Sequence, residues 1–207
     1  MKIGIIGAGM IGGTLGPLWL KAGHEVRYGT RHPEQVQVSG AGSDTVAAVG
    51  QWAEVLAIAI PLGATPEVAQ ALGASVQGKV VLDTGNLIPG KEPTDAAAVA
   101  KSGGSGVWVA SHLPGAHVVK AFNTVYFKIL QSQSGRTDGP QLGIPLAGDD
   151  AAALDTAQGL VRDAGFEPVV FGALSQAIHF ENGTPVWNTG ASAEALRSYL
   201  SEVRAAS

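Results

Sequence analysis

The fold is decided by residues 1–12, which read Met-Lys-Ile-Gly-Ile-Ile-Gly-Ala-Gly-Met-Ile-Gly. Lys2–Ile6 is short and rich in β-branched residues, which is typical of a strand. Met10–Ala22 is predicted to be the helix that follows. The pattern G-x-G-x-x-G therefore lies directly after a strand and at the start of a helix, which is the context that a dinucleotide-binding motif requires.

Each glycine of this pattern has a distinct physical use. Gly7 allows a tight turn, Gly9 lets a pyrophosphate approach the backbone, and Gly12 lets the helix pack closely on the strand. The N–H groups near Met10 and Ile11 are predicted to face the phosphates at the positive end of the helix. The alternative is a glycine-rich turn of purely structural use.

Strands alternate with helices along the rest of the chain, which indicates a parallel sheet covered by helices on both faces. The expected fold class is α/β, with a Rossmann-type, doubly wound, mostly parallel sheet and a small C-terminal α/β extension. A weak strand is also expected at Val36–Val38, and Gln131–Gly139 is expected to be a loop. The other predicted strands are Glu25–Tyr28, Val55–Ile60, Lys79–Asp83, His117–Ala121, Leu142–Ala147 and Glu167–Phe171. We expect a dinucleotide-binding domain over residues 1–140, with residues 141–207 packed on it.

The end of the second strand predicts which dinucleotide binds. Folds that bind NAD usually place an acidic residue about 20 residues beyond the glycine motif, where it holds the ribose 2′-hydroxyl. At that distance this sequence has Thr30-Arg31-His32, without an acid. Arg31 offers a fork of donors to a 2′-phosphate, and Thr30 offers a hydroxyl. We therefore expect NADP(H) rather than NAD(H), although Arg31 could instead be a solvated surface charge.

Other strand ends supply further candidate binding residues. In doubly wound sheets, ligands bind outside the carboxyl ends of the strands. Pro61 and Leu62 are candidates for a wall along the nicotinamide ring, and Asn86 and Asn123 are candidates for orienting its amide. Each asparagine could equally be a turn-former or a cap.

Composition excludes several classes of protein. The formal net charge of the 207 residues is −4, which argues against a nucleic-acid partner. The absence of cysteine removes disulfides, thiolate nucleophiles and Cys-ligated metal sites, and no other metal cluster is apparent. The run Ile3–Leu20 carries no charge, but it contains six glycines, which makes it a poor membrane helix. We therefore expect a soluble cytoplasmic protein that contacts no membrane.

Several stretches, in this order, resemble one known family. They are Gly7–Gly12, Tyr28–Arg31, Val119–Val125, Pro145–Asp150, Asp163–Pro168 and Gly172–Leu174. This pattern resembles the coenzyme F420-dependent NADP oxidoreductases with their bacterial relatives, and it is similar to the NADPH-binding domain of the six-transmembrane metalloreductases. The resemblance implies that the Gly-rich loop and the Thr30-Arg31 pair bind NADP(H). It also implies hydride transfer between the nicotinamide and a flavin-like acceptor, either F420 or a flavin.

Ring-to-ring hydride transfer depends on alignment more than on acid–base groups, and we assign no catalytic residue. Whether His179 takes part is left open, as are the acceptor and the direction of transfer. Reductases of small imines and hydroxyacids add a helical domain of about 100 residues or more, whereas only about 60 follow the strand at Leu142–Ala147. We therefore expect a shallow groove for a small planar redox acceptor, and a homodimer could complete it. The alternative from another class is a non-catalytic NADP(H)-binding sensor or regulatory module.

Overall fold

The computed structural model describes residues 1–88, 90 and 95–206. Its strands form one eight-stranded sheet in the order β3-β2-β1-β4-β5-β6-β7-β8. They are β1 Lys2–Ile6, β2 Glu25–Gly29, β3 Gly42–Asp44, β4 Val55–Ile58, β5 Val80–Asp83, β6 His117–Lys120, β7 Gly143–Gly148 and β8 Glu167–Gly172. All neighbouring strands run parallel except β6 and β7, which are antiparallel. The predicted fold class, a mostly parallel α/β sheet of Rossmann type, is confirmed.

Helices connect these strands. They are α1 Gly12–Lys21, α2 Val46–Trp52, α3 Thr65–Leu72, α4 Ala96–Ser102, α5 Ser105–His112, α6 Phe127–Gln133, α7 Ala151–Asp163 and α8 Ala193–Ala206. The chain order along the sheet reverses between β1 and β4, which are direct neighbours. Such a switch point leaves a crevice at the carboxyl ends of the strands, and ligands bind there in this type of fold.

Alternate residues of the strands enter two different hydrophobic clusters. In β4, Val55 and Ala57 pack with Trp19 of α1, whereas Leu56 and Ile58 pack with Val49 of α2. The sheet is therefore covered on both faces, which explains why this strand is apolar at every position. The buried Tyr28 hydroxyl donates to the Gly12 carbonyl at 3.0 Å and so links β2 to the start of α1.

The charge-free run Ile3–Leu20 is divided between β1, the Gly-rich loop and α1. None of the described helices combines the length and the hydropathy that a membrane-spanning helix needs. The boundary that we predict at residue 140 falls between α6 and β7, and the strands on either side of it belong to the same sheet.

Two local predictions are wrong. The third strand is Gly42–Asp44, not Val36–Val38, and all three of its residues are exposed. The predicted loop Gln131–Gly139 begins inside α6, whose last residue is Gln133.

Candidate active site

The Gly-rich loop has the backbone that its sequence predicts. Gly7 has φ +103°, and a Cβ there would collide with the Ala59 carbonyl. A Cβ on Gly12 would collide with the Gly7 carbonyl, so both positions are closed to larger residues. At Gly9, in contrast, a Cβ would meet nothing within 4 Å. The fold therefore does not itself require glycine at position 9, and the open space beside it is available to a ligand.

The backbone N–H groups at the start of α1 have no acceptors within the helix. Ile11 is the N-cap residue but makes no side-chain capping hydrogen bond, and the first turn contains no acidic residue. In the part of the chain that the structure describes, the N–H groups of Met10, Ile11 and Gly12 have no hydrogen-bond acceptor. Free donors at the positive end of a helix dipole favour an anion. These residues fit the pyrophosphate of a dinucleotide.

A cavity of about 420 Å³ lies beside this loop at the end of β2. Ala8 and Gly9 line it together with Thr30, and the remaining lining residues are His32, Gln35, Val36, Gln37 and Val38. The Thr30 N–H donates to the Asp44 carbonyl at 3.1 Å, which holds the end of β2 against β3. Arg31 is exposed, and no acceptor among the described side chains pairs with it. The predicted residues Gly9 and Thr30 thus border one space, whereas the predicted residue Arg31 is not among the residues that line it.

The residues predicted after β4 have different environments. Leu62 is 2% exposed and packs in a hydrophobic cluster with Ile58 and Val68, whereas Pro61 is exposed. Of the pair that we predict to line the nicotinamide, Pro61 is therefore the accessible member.

Asn86 and Asn123, the two residues predicted to orient the nicotinamide amide, are hydrogen-bonded to each other across the ends of β5 and β6. The Asn86 Nδ2 donates to the Asn123 carbonyl at 2.6 Å, and the Asn123 Nδ2 donates to the Asn86 Oδ1 at 3.2 Å. Phe122, just before this turn, has φ +60°, a conformation that non-glycine residues rarely adopt. Oδ1 of Asn123 and Oγ1 of Thr124 are buried without a hydrogen-bond partner among the described residues. The strand ends thus present a fixed amide pair with unsatisfied buried oxygens.

A C-terminal segment, residues 180–188, lies over these two strand ends. The Asn123 Nδ2 also donates to the Phe180 carbonyl at 3.2 Å, and the Asn182 Nδ2 donates to the Leu87 carbonyl at 3.0 Å. The Asn188 N–H donates to the Thr124 carbonyl at 2.6 Å. The C-terminal extension therefore contributes directly to the surroundings of the predicted nicotinamide site. His179 is half-buried at the end of the 3₁₀ turn Leu174–His179 that precedes this segment.

A buried charge network beneath this site was not anticipated from the sequence. The Lys120 Nζ donates to the Asp83 Oδ2 at 2.7 Å and to the Ser105 Oγ at 2.8 Å, and both charged side chains are at most 1% exposed. Burial raises the pKa of the Asp83 carboxyl, and the ammonium of Lys120 opposes that rise. The only signal in the sequence was a charged residue at the end of each of two buried strands.

Glu181 continues the network and joins it to the C-terminal segment. Its carboxylate accepts from the Ser105 Oγ at 2.8 Å and from the backbone N–H groups of Ser105 and Gly106, both at 3.0 Å. It thereby supplies acceptors for the first turn of α5. The network thus ties residues 180–188 to the ends of β5 and β6, which gives the site a fixed shape.

Comparison with known proteins agrees with this geometry. Residues 2–87, which contain β1 to β5, match the family model described as NADP oxidoreductase, coenzyme F420-dependent. The chain is 26% identical over 192 residues to metalloreductase STEAP3 of Rattus norvegicus. The match covers 87% of this chain but only 36% of that relative. The chain therefore spans about a third of the length of this curated relative.

Solved structures with the same fold include two bacterial proteins of similar size. A proposed F420-dependent NADP-reductase from Arthrobacter sp. FB24 has a TM-score of 0.71 and 25% identity, with 86% of this chain and 87% of that chain covered. A hypothetical protein from Sinorhizobium meliloti has a TM-score of 0.76 and 24% identity, with 90% and 93% covered. The predicted resemblance to the coenzyme F420-dependent NADP oxidoreductase family is therefore confirmed for residues 2–87, which make up less than half of the chain.

Proposed function

We propose that this protein transfers a hydride between NADP(H) and a flavin-like ring, either coenzyme F420 or a flavin. The observation that carries the proposal is the open Gly9 position beside free helix N–H groups and the cavity lined by Thr30. When bound, the nicotinamide supplies the hydride chemistry. The match to a family described as F420-dependent supports the choice of acceptor.

The protein's own residues bind and orient. The N–H groups of Met10, Ile11 and Gly12 would hold the pyrophosphate, and Thr30 and Arg31 would hold the 2′-phosphate. The unpaired Oδ1 of Asn123 provides an acceptor that a carboxamide N–H₂ would satisfy. A buried oxygen without a partner costs about 1–3 kcal/mol, so such a contact would favour the bound state. Pro61 would border the ring.

A turnover assay tests the proposal. NADPH is mixed with the protein and with F420, FMN or FAD in turn under anaerobic conditions, and the loss of nicotinamide absorbance is followed. We expect protein-dependent oxidation with at least one of these acceptors. Tight NADPH binding without turnover for any of them would contradict the proposal.

A second candidate, a non-catalytic NADP(H)-binding module, is favoured by one observation. The side-chain amides of Asn86 and Asn123 are already bonded to each other and to backbone carbonyls. A site whose amide N–H₂ donors are occupied by protein acceptors can bind the adenosine half of the ligand without aligning the nicotinamide. The same assay distinguishes the two candidates, because this module would bind NADPH and give no turnover.

We predict that Arg31→Ala weakens NADPH binding about tenfold or more and leaves NADH binding unchanged. The reason is that one charge-assisted hydrogen bond to the 2′-phosphate contributes about 1.5–3 kcal/mol. Dissociation constants for both dinucleotides measure the effect. Arg204→Ala, at an exposed position on α8, removes the same charge elsewhere and serves as the control. Equal wild-type affinities for NADPH and NADH that Arg31→Ala does not change would contradict the assignment.

A further inference from the structure

His32 lies in the same cavity as the Gly-rich loop. The cavity at the end of β2 is bordered by Ala8 and Gly9, by Thr30 and His32, and by the segment Gln35–Val38. The His32 side chain is 63% exposed, so it remains accessible to a ligand that enters this space. A dinucleotide held on the loop would bring its adenosine end to the imidazole.

His32 contacts two neighbouring side chains. Its backbone N–H donates to the Thr30 Oγ1 at 3.3 Å, and its Nδ1 lies 3.5 Å from the Glu34 Oε1. The Ser43 Oγ donates to the Pro33 carbonyl at 2.9 Å, which ties this turn to β3. Within residues 1–88, 90 and 95–206, the His32 Nε2 has no partner and is free to donate.

Among the described residues that line this cavity, His32 is the one with an ionisable side chain. The charged groups on the elements that meet His32 are Arg31, Glu34 and, at the end of β3, the exposed Asp44. A phosphate monoester adds about 1.5–2 negative charges at neutral pH. None of these three residues lines the cavity, so a protonated His32 would be the positive charge on its lining that offsets part of the charge of such a ligand.

We propose that protonated His32 is a second cationic contact for the 2′-phosphate and strengthens the selection of NADP(H) over NAD(H) at acidic pH. This inference rests on the proposed binding of NADP(H) at the Gly-rich loop. Histidine is the side chain whose charge ordinarily changes between pH 5 and 8, whereas Arg31 stays charged throughout. NADH lacks the 2′-phosphate, so its affinity is expected to be independent of this protonation.

Binding titrations at about pH 6.5 and about pH 8.5 test the proposal without any acceptor. For the wild-type protein we expect NADPH to bind several-fold to tenfold more tightly at the lower pH, with NADH unaffected. His32→Gln should remove most of this pH dependence. His117→Gln, which removes an imidazole 3.7 Å from Asp150 and far from the cavity in sequence, should keep it.

These titrations distinguish the role of His32 from the proposed binding of NADP(H). A His32→Gln protein that keeps the wild-type pH dependence would overturn the inference. Equal weakening of NADPH and NADH binding by His32→Gln at both pH values would also overturn it. That result would mean that the His32 imidazole packs on the adenosine, which both dinucleotides share. NADPH binding that is tight and independent of pH would overturn the role of His32 but not the proposed function. Failure of the wild-type protein to bind either dinucleotide would overturn both.

Discussion

Gly9→Ala is expected to leave the protein folded and to weaken NADPH binding by a factor of about 10² or more. The added methyl group would meet no protein atom within 4 Å, and the Gly9 backbone lies outside the left-handed region, so alanine fits without strain. It would, however, occupy the space through which a pyrophosphate reaches the loop. Loss of two charge-assisted hydrogen bonds at about 1.5–3 kcal/mol each would account for this effect.

The neighbouring glycines provide a matched control for this variant. Gly13→Ala places the same methyl group on α1, where its nearest neighbour is the Ala8 carbonyl at 3.7 Å. Alanine is a better helix former than glycine, so this variant should be as stable as the wild type or more stable and should still bind NADPH. Gly7→Ala and Gly12→Ala are uninformative because both would collide with backbone carbonyls. Wild-type affinity for NADPH in Gly9→Ala, measured on a folded protein, would disprove the proposed position of the pyrophosphate.

The sequence predicted those parts of the fold that carry a strong local signal. Buried parallel strands such as Val55–Ile58 are continuous apolar runs, which few other structures require. Strand β3 has no such signal, because Gly42, Ser43 and Asp44 are all exposed and pair with the sheet only through their backbone. Helix α6 was missed for a similar reason, since Leu130 is its only buried residue.

The residues of the candidate site also divide into those that have a local sequence signal and those that do not. Gly9 and Thr30 could be found because each has a fixed offset from a strand end. Asn86 and Asn123 could be found because they lie in the short turns that follow β5 and β6. The bonds between the two asparagines could not be predicted, since the relation between these loops depends on how β5 and β6 pair. Ser105 and Glu181 were also missed, because 76 residues separate the partners of that contact and neither residue belongs to a motif.

Lys120→Met is expected to lower the free energy of unfolding by about 3–5 kcal/mol, which makes it the most destabilising change considered for this protein. Methionine fills a similar volume, but it leaves the Asp83 carboxylate buried without its cation and the Ser105 hydroxyl without its donor. Denaturant unfolding measures the difference. Lys128→Met, on an exposed position of α6, changes the same residue type and should shift stability by less than about 0.5 kcal/mol.

The loss of stability in Lys120→Met should depend on pH with a defined sign. Burial raises the pKa of Asp83 in the folded protein, and this variant lacks the ammonium that opposes the rise. The folded state then binds more protons than the unfolded state between the two pKa values, so the free energy of unfolding falls as the pH rises through that window. The deficit relative to the wild type should therefore be smaller at about pH 5 than at about pH 8.

A second substitution separates the uncompensated charge from other consequences of losing Lys120. Asp83→Asn removes the charge while its Oδ1 can still accept from the Gly85 N–H, a bond of 2.9 Å in the wild type. The double variant Asp83→Asn/Lys120→Met should therefore recover much of the lost stability and show little pH dependence. If it is no more stable than Lys120→Met alone at about pH 8, the cost does not arise from an isolated buried carboxylate. The loss of stability would then lie in the packing of the Lys120 side chain and not in its charge.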